Sequence, residues 1–145
     1  MEKLKAIAYV DGSYNTVTNC YGYGIVFNPG DSFNEIRISS DPFENSYSVH
    51  RNVAGEVFGA LKAVEIAIES GYASIELNFD YSGIEMWATN KWSANNEMTQ
   101  MYKDKMEKYR KKIKITFNKI KSHSNDKYND IADLLAKKAI GAKNR

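Results

Sequence analysis

The sequence predicts an α/β domain, a mixed five-stranded sheet of three antiparallel strands followed by two more, flanked by helices. Three observations carry that expectation. Segments of strand character fill the first forty residues, and two of them are separated by a strong turn sequence. Segments with helical spacing then alternate with further strand segments over the rest of the chain. Finally, 145 residues suit one hydrophobic core, so residues 1–145 are expected to form a single domain.

The first strand is the apolar run over residues 5–10, which leads into Asp11. Residues 21–27 alternate Tyr and Gly before turning apolar at Ile25-Val26-Phe27, and residues 33–38 alternate Ile36 and Ile38 with polar neighbours. Asn28-Pro29-Gly30-Asp31 between them predicts an antiparallel hairpin. Asn52 is placed to cap a helix in which Val53, Val57, Leu61, Val64 and Ile68 recur at helical spacing, and Gly71 is placed to end it. Residues 74–79 alternate Ile75, Leu77 and Phe79 with polar residues, a strand running into Asp80. Met98, Met101, Tyr102, Met106 and Tyr109 mark a helix whose opposite face carries lysines. Residues 114–120 form a last strand, and Ile131, Leu134, Leu135 and Lys138 mark a last helix. The predicted order is strand-strand-strand-helix-strand-helix-helix-strand-helix.

With 43% hydrophobic and 26% charged residues, the chain reads as an ordinary soluble globular protein. Its apolar runs are far shorter than a membrane span, so no membrane partner is expected. The charged N-terminal segment does not read as a secretory signal. Cys20, the lone cysteine, can form neither an intrachain disulfide nor a cysteine zinc site, which points to a reduced, cytoplasmic setting. Charge is unevenly spread. Residues 1–90 hold 5 Lys/Arg against 12 Asp/Glu, whereas residues 91–145 hold 15 against 6. Nine of those basic residues fall within residues 103–121. That stretch reads either as a solvated helix face or as a phosphate-binding surface beside an acidic pocket, and composition does not choose between them.

Four carboxylates stand out by position. Asp11 and Asp80 follow strands, while Glu56 and Asp133 fall in the early turns of helices, at the rim where α/β sheets bind ligands. Any one of them alone is ordinarily a solvated acid favoured by a helix dipole. Four together repel one another unless a cation intervenes, and an all-oxygen donor set suits Mg²⁺ or Mn²⁺ rather than zinc.

The segments Tyr9-Val10-Asp11-Gly12-Ser13-Tyr14, Tyr21-Gly22-Tyr23-Gly24, Arg51-Asn52-Val53-Ala54-Gly55-Glu56, Asp80-Tyr81-Ser82-Gly83-Ile84 and His123-Ser124-Asn125-Asp126-Lys127-Tyr128-Asn129-Asp130-Ile131-Ala132-Asp133 resemble bacterial type 1 ribonuclease H, specifically its catalytic domain without a hybrid-binding domain. Order, spacing and placement along the chain match from about Ile7 to Gly141. The resemblance implies the ribonuclease H-like fold and a catalytic set of Asp11, Glu56, Asp80, His123 and Asp133. Asp126 and Asp130 compete for the last acidic position. The family pattern aligns with Asn129-Asp130-Ile131-Ala132-Asp133-Leu134-Leu135-Ala136, which gives the metal role to Asp133 and leaves Asp130 as a helix-start acid.

What the resemblance implies is an endonuclease that hydrolyses the RNA strand of RNA–DNA hybrids with two Mg²⁺ ions, Mn²⁺ being a substitute, and leaves 5′-phosphate and 3′-hydroxyl ends. Asp11 would bridge both ions. Asp133 would help hold the ion that activates water, and Glu56 and Asp80 the ion at the leaving oxygen. His123 reads either as an exposed loop imidazole or as a proton shuttle titrating near neutrality. Gly12, Ser13, Asn52 and Glu56 are the resemblance's candidates for touching the RNA, whose 2′-hydroxyls line a wide minor groove. Arg51 is a candidate phosphate ligand. Trp87 and Trp92 either line the groove for the DNA strand or pack in the core.

The sequence departs from its relatives in places. Where many carry a basic protrusion, this chain reads Asn90-Lys91-Trp92-Ser93-Ala94-Asn95-Asn96. The loop 15–20 lacks their glycines and prolines, and Ser122 and Asn125 stand where Gly is common. The rival readings are a hybrid-binding module that does not cut, and a related exonuclease or the nuclease part of a reverse transcriptase. The complete carboxylate set argues against the first, and a 145-residue chain beginning with Met reads as a stand-alone, monomeric enzyme without an obligatory protein partner.

Overall fold

A computed structural model describes residues 3–121 and 126–141. In chain order the elements are β1 (Lys3–Asn15), β2 (Cys20–Phe27), β3 (Ile36–Ser39), a 3-10 turn (Ser46–His50), α1 (Asn52–Glu69), β4 (Tyr72–Phe79), α2 (Gly83–Ala88), α3 (Glu97–Arg110), β5 (Lys114–Lys119) and α4 (Lys127–Ala139). The sheet order is β3-β2-β1-β4-β5. The first three strands pair antiparallel, while β4 joins β1, and β5 joins β4, in parallel. A parallel neighbour cannot be reached by a tight turn, so α1 serves as the crossover between the hairpins and β4. This is the predicted mixed α/β sheet.

The inner strands bury one face completely: Ala6, Ala8 and Val10 of β1 and Ile75, Leu77 and Phe79 of β4, in register on the same side, are fully buried, whereas Ile7 and Tyr9 on the other side are half-buried. Helix α1 packs on β1, β2 and β4 and α3 packs on α1, whereas α4 packs on β1, β2 and β3. Glycines show that these two layers lie on opposite faces. A Cβ on Gly12 would overlap the backbone of Asn52 and Glu56 in α1, while one on Gly24 would overlap the backbone of Ala132 and Ala136 in α4. Gly12 pairs with Tyr23 and Asp11 with Gly24, so the two glycines sit at alternate positions of one ladder and face opposite ways.

Three expectations require correction. The first strand continues past Asp11 to Asn15, because β2 still satisfies its backbone from Asp11↔Gly24 to Asn15↔Cys20. Pairing with β4 stops earlier, at Tyr9↔Asn78. The third strand starts at Ile36, not Phe33, which is 94% exposed. The Asp31 carboxylate accepts from the amides of Phe33 and Asn34, folding that segment into a turn outside the sheet. Asn52 is the first residue of α1 rather than its cap. Arg51 is the cap residue, at φ 57°, because the 3-10 turn runs straight into the helix and leaves no room for a side-chain cap. Gly71, at φ 81°, follows the α1 C-terminus as expected.

Candidate active site

Asp11 stands where β1 and β4 part. Beyond Tyr9↔Asn78 the parallel ladder ends, β1 continues with β2 alone, and β4 runs out at Phe79 into Asp80. The two aspartates thus flank the fork between neighbouring parallel strands, the usual place for a ligand in such sheets. The close approach at Gly12 seats the first turns of α1 against the fork, which brings Glu56 in from one face. At Gly24, the ladder partner of Asp11, the backbone of α4 comes equally close and brings Asp133 in from the other. Any larger residue at Gly12 or Gly24 would push a carboxylate-bearing helix away.

Electrostatics confirm how near these groups lie. Burial, then repulsion from Glu56 and Asp133, pushes the Asp11 carboxyl up to about 8, against a single opposing hydrogen bond from the Gly12 amide to Asp11 Oδ1 at 3.0 Å. Glu56 is only 2% exposed. Its Oε2 accepts from the backbone amides of Asp80 (2.9 Å) and Tyr81 (3.0 Å), which fixes its direction across the fork. Burial outweighs those two bonds, and with repulsion from Asp80 it lifts Glu56 to about 7. Positive charge reaches the site from Lys137, whose Nζ lies 2.9 Å from Asp133 Oδ2, and from Lys119, which acts on Glu56. The Lys137 ammonium is held above its ordinary range chiefly by that hydrogen bond and by the Asp133 charge.

The structure therefore gathers Asp11, Glu56, Asp80 and Asp133 from β1, α1, the end of β4 and α4. Among the described residues no three acidic, His or Cys side chains converge into a finished metal cage. Glu56 Oε2 is turned to backbone amides and Asp133 to Lys137. The donor chemistry nevertheless fits a hard divalent cation. Acids lifted to about 8 and about 7 by burial and then by repulsion among the carboxylates would be relieved by one, and every donor is oxygen.

The other predicted residues surround this centre. Ser13 is half-buried on β1, opposite Gly22, and the Asn52 carbonyl packs against Gly12. Arg51 is exposed, with its guanidinium 5.3 Å from the centre of the Tyr14 ring. Trp87 packs against Tyr81, Trp92 and Tyr102 and supports the core, whereas Trp92 remains 41% exposed and meets Tyr81 edge-on. His123, with Ser122 and Asn125, lies outside the described residues. Lys137 escaped the sequence reading, and so did the role of Gly24 against α4, although Gly24 itself stands in one of the family-like segments. Lys137 could have been found from its i,i+4 spacing to Asp133, and Gly24 from the Gly-x-Gly alternation, which marks a strand approached closely by another backbone.

Residues 3–141 match the family model described as RNase H. The chain belongs to the RNase H family. It is 31% identical over 153 residues to the ribonuclease H of Pseudoalteromonas translucida, an alignment covering 99% of this chain and 94% of that protein. Against the ribonuclease H of Chlorobium luteolum it is 28% identical over 144 residues, covering 96% and 97%. The crystal structure of RNase H1 from the halophilic archaeon Halobacterium salinarum superimposes with a TM-score of 0.75 at 21% identity, covering 94% of this chain and 98% of that one. LC11-RNase H1 in complex with an RNA/DNA hybrid gives 0.68 at 15% identity, covering 93% and 99%. Those two structures bear on the fold; the family match makes the chain a ribonuclease H-type hydrolase.

Proposed function

We propose that the chain hydrolyses the RNA strand of RNA–DNA hybrids as an endonuclease, with two divalent ions at the carboxylate fork, and leaves 5′-phosphate and 3′-hydroxyl ends. The observation that carries this reading is the convergence of four carboxylates from four elements on one fork, with Asp11 and Glu56 unneutralised. A related fold, LC11-RNase H1, has been crystallised with an RNA/DNA hybrid, which supports the substrate.

When bound, Mg²⁺ or Mn²⁺ supplies Lewis-acid charge for activating water and for the departing 3′-oxygen. The residues have distinct tasks. Asp11, held on a paired strand between two helices, would be a central carboxylate ligand of the metal site. Glu56 is pre-aimed by the Asp80 and Tyr81 amides, so it and Asp80 act as one unit on the leaving-group side. Asp133, now paired with Lys137 at 2.9 Å, would help hold the ion that activates water, and the nearby Lys137 ammonium would oppose phosphate charge. His123 shuttles a proton. Gly12, Ser13 and Asn52 border the fork on the side where the RNA sugar would lie, Arg51 offers a phosphate contact, and exposed Trp92 offers a surface for the DNA strand. Among the described residues no helix is long and apolar enough to cross a membrane. A monomeric, cytoplasmic enzyme completes the proposal.

The test is cleavage of a hybrid labelled on either strand, with Mg²⁺ and with chelator, followed by analysis of the ends. RNA-strand cutting at internal positions with 5′-phosphate ends supports the proposal. Cutting only from a terminus, or in the presence of chelator, refutes it.

A further inference from the structure

The basic run at residues 103–121 does not form one surface. Helix α3 and the turn that follows it carry its first part on two flanks. On one flank Lys105 lines a shallow cleft with Lys62 and Glu65 of α1. Lys112 borders Glu65 and Glu69 of the same helix. Acidic neighbours thus accompany the lysines on that side. On the other flank Lys103, Glu107, Arg110 and Lys111, spaced i, i+4, i+7 and i+8, face Ala88 and Asn90 across a groove of ≈ 300 Å³. Three of those four side chains are basic. Around the end of α3 the same Arg110 and Lys111 open into a second cleft with Lys114.

The groove has a fixed wall. Arg110 Nη1 donates to the Ala88 carbonyl at 3.1 Å, tying the C-terminus of α2 to α3. Asn90, at φ 64°, turns the chain out of α2 in the left-handed region that Asn tolerates. Helix α2 starts three residues after Asp80, and its six residues rise about 9 Å. The groove therefore lies only one short helix along the chain from Asp80.

We propose that the α2–α3 groove holds the sugar–phosphate backbone of the bound duplex through Lys103 and Lys111, without reading sequence or sugar, and that Lys105 takes no part. The proposal rests on the hybrid-cleaving function above and assigns the grip that segment 90–96, with Lys91 as its single charge, leaves unexplained. Glu107 lies in the same groove and opposes binding, which makes its removal an internal control of opposite sign.

The experiment measures hybrid cleavage and, by anisotropy, affinity for an uncut DNA duplex across a range of salt. Variants are Lys103→Ala, Lys111→Ala, Lys105→Ala and Glu107→Gln. Each true phosphate contact contributes about 0.7–0.9 to the slope of log affinity against log salt, which amounts to about five- to eightfold between 1 M and 0.1 M salt. Lys103→Ala and Lys111→Ala should each lose that much affinity for both duplexes, with the loss in cleavage appearing in KM. Glu107→Gln should bind more tightly, and Lys105→Ala should keep the wild-type slope. Wild-type slopes in both Lys103→Ala and Lys111→Ala, or an equal loss in Lys105→Ala, would overturn the groove while leaving the function standing. A wild-type protein that binds duplexes as described but cuts no hybrid would instead overturn the function and leave the groove.

Discussion

Replacing Asp11 by Asn in metal-free buffer should stabilise the protein, and the size of the effect follows from the site. Asp11 titrates near 3.8 when unfolded and at about 8 when folded. A raised carboxyl pKa means that the folded state retains a proton the unfolded chain has released, so stability falls as pH rises from about 4 to about 8 and is level outside that window. At about 1.4 kcal/mol per pH unit, the cost near pH 7 is on the order of 4 kcal/mol. Asparagine cannot ionise and escapes that cost, but it leaves Glu56 and Asp133 in place and loses the hydrogen bond shared with Asp133. A net gain of about 2 kcal/mol at pH 7 is therefore expected, raising Tm by roughly 4–8 °C for a chain of this size. At pH 4.5 the gap should shrink to under about 1 kcal/mol. Thermal and urea unfolding by circular dichroism, with chelator present, measures both. Added Mg²⁺ should then stabilise the wild type more than the variant, because only the wild type keeps the full donor set. A variant no more stable than wild type at pH 7, or a gap independent of pH, would refute the charge-crowding argument.

Asp80→Asn should lower kcat at least about a hundredfold, the scale for losing one electrostatic group in a transition state, while its circular dichroism spectrum stays native; near-normal hybrid cleavage would remove Asp80 from the site. His123→Ala should slow turnover about ten- to hundredfold without abolishing it, and a loss matching that of Asp11→Asn would show a role beyond proton transfer. Gly24→Ala should destabilise by about 1–3 kcal/mol, because its methyl group meets the α4 backbone, and should also weaken Mg²⁺ dependence by shifting Asp133. Unfolding curves and metal titration of activity check both effects, and an Ala variant as stable as wild type would contradict the close approach.

How much was legible in the sequence depended on whether a feature is local. Strands β2 and β4, helices α1 and α3 and their order show as hydrophobic periodicity, and Asp11, Glu56 and Asp80 stand out because each lies near the end of an apolar element; Asp133, expected in the early turns of its helix, sits in the middle of α4 because that helix already starts at Lys127. The course of β1 beyond Asp11 did not show, because a polar segment paired on one side only carries no apolar signature; its ladder is a property of β2. Phe33 misled in the opposite direction: its β-propensity was overridden by the Asp31 carboxylate two residues earlier. The Lys137–Asp133 pair and the passage of α4 over Gly24 require knowing which helix crosses which strand. The division of the basic run likewise depends on the rotation of α3 against α1 and α2, which places Lys105 beside Glu65 and Lys103 beside Asn90.

Cleavage of an RNA–DNA hybrid, with each strand labelled in turn, is the measurement that bears most directly on the central claim. With Mg²⁺ the wild-type protein should cut only the RNA strand, at internal positions. Chelator should stop the reaction, excess Mg²⁺ should restore it, and Asp11→Asn should lack it under every condition. Cutting of the DNA strand, or undiminished cutting by Asp11→Asn, would contradict the assignment of the carboxylate fork as the catalytic centre.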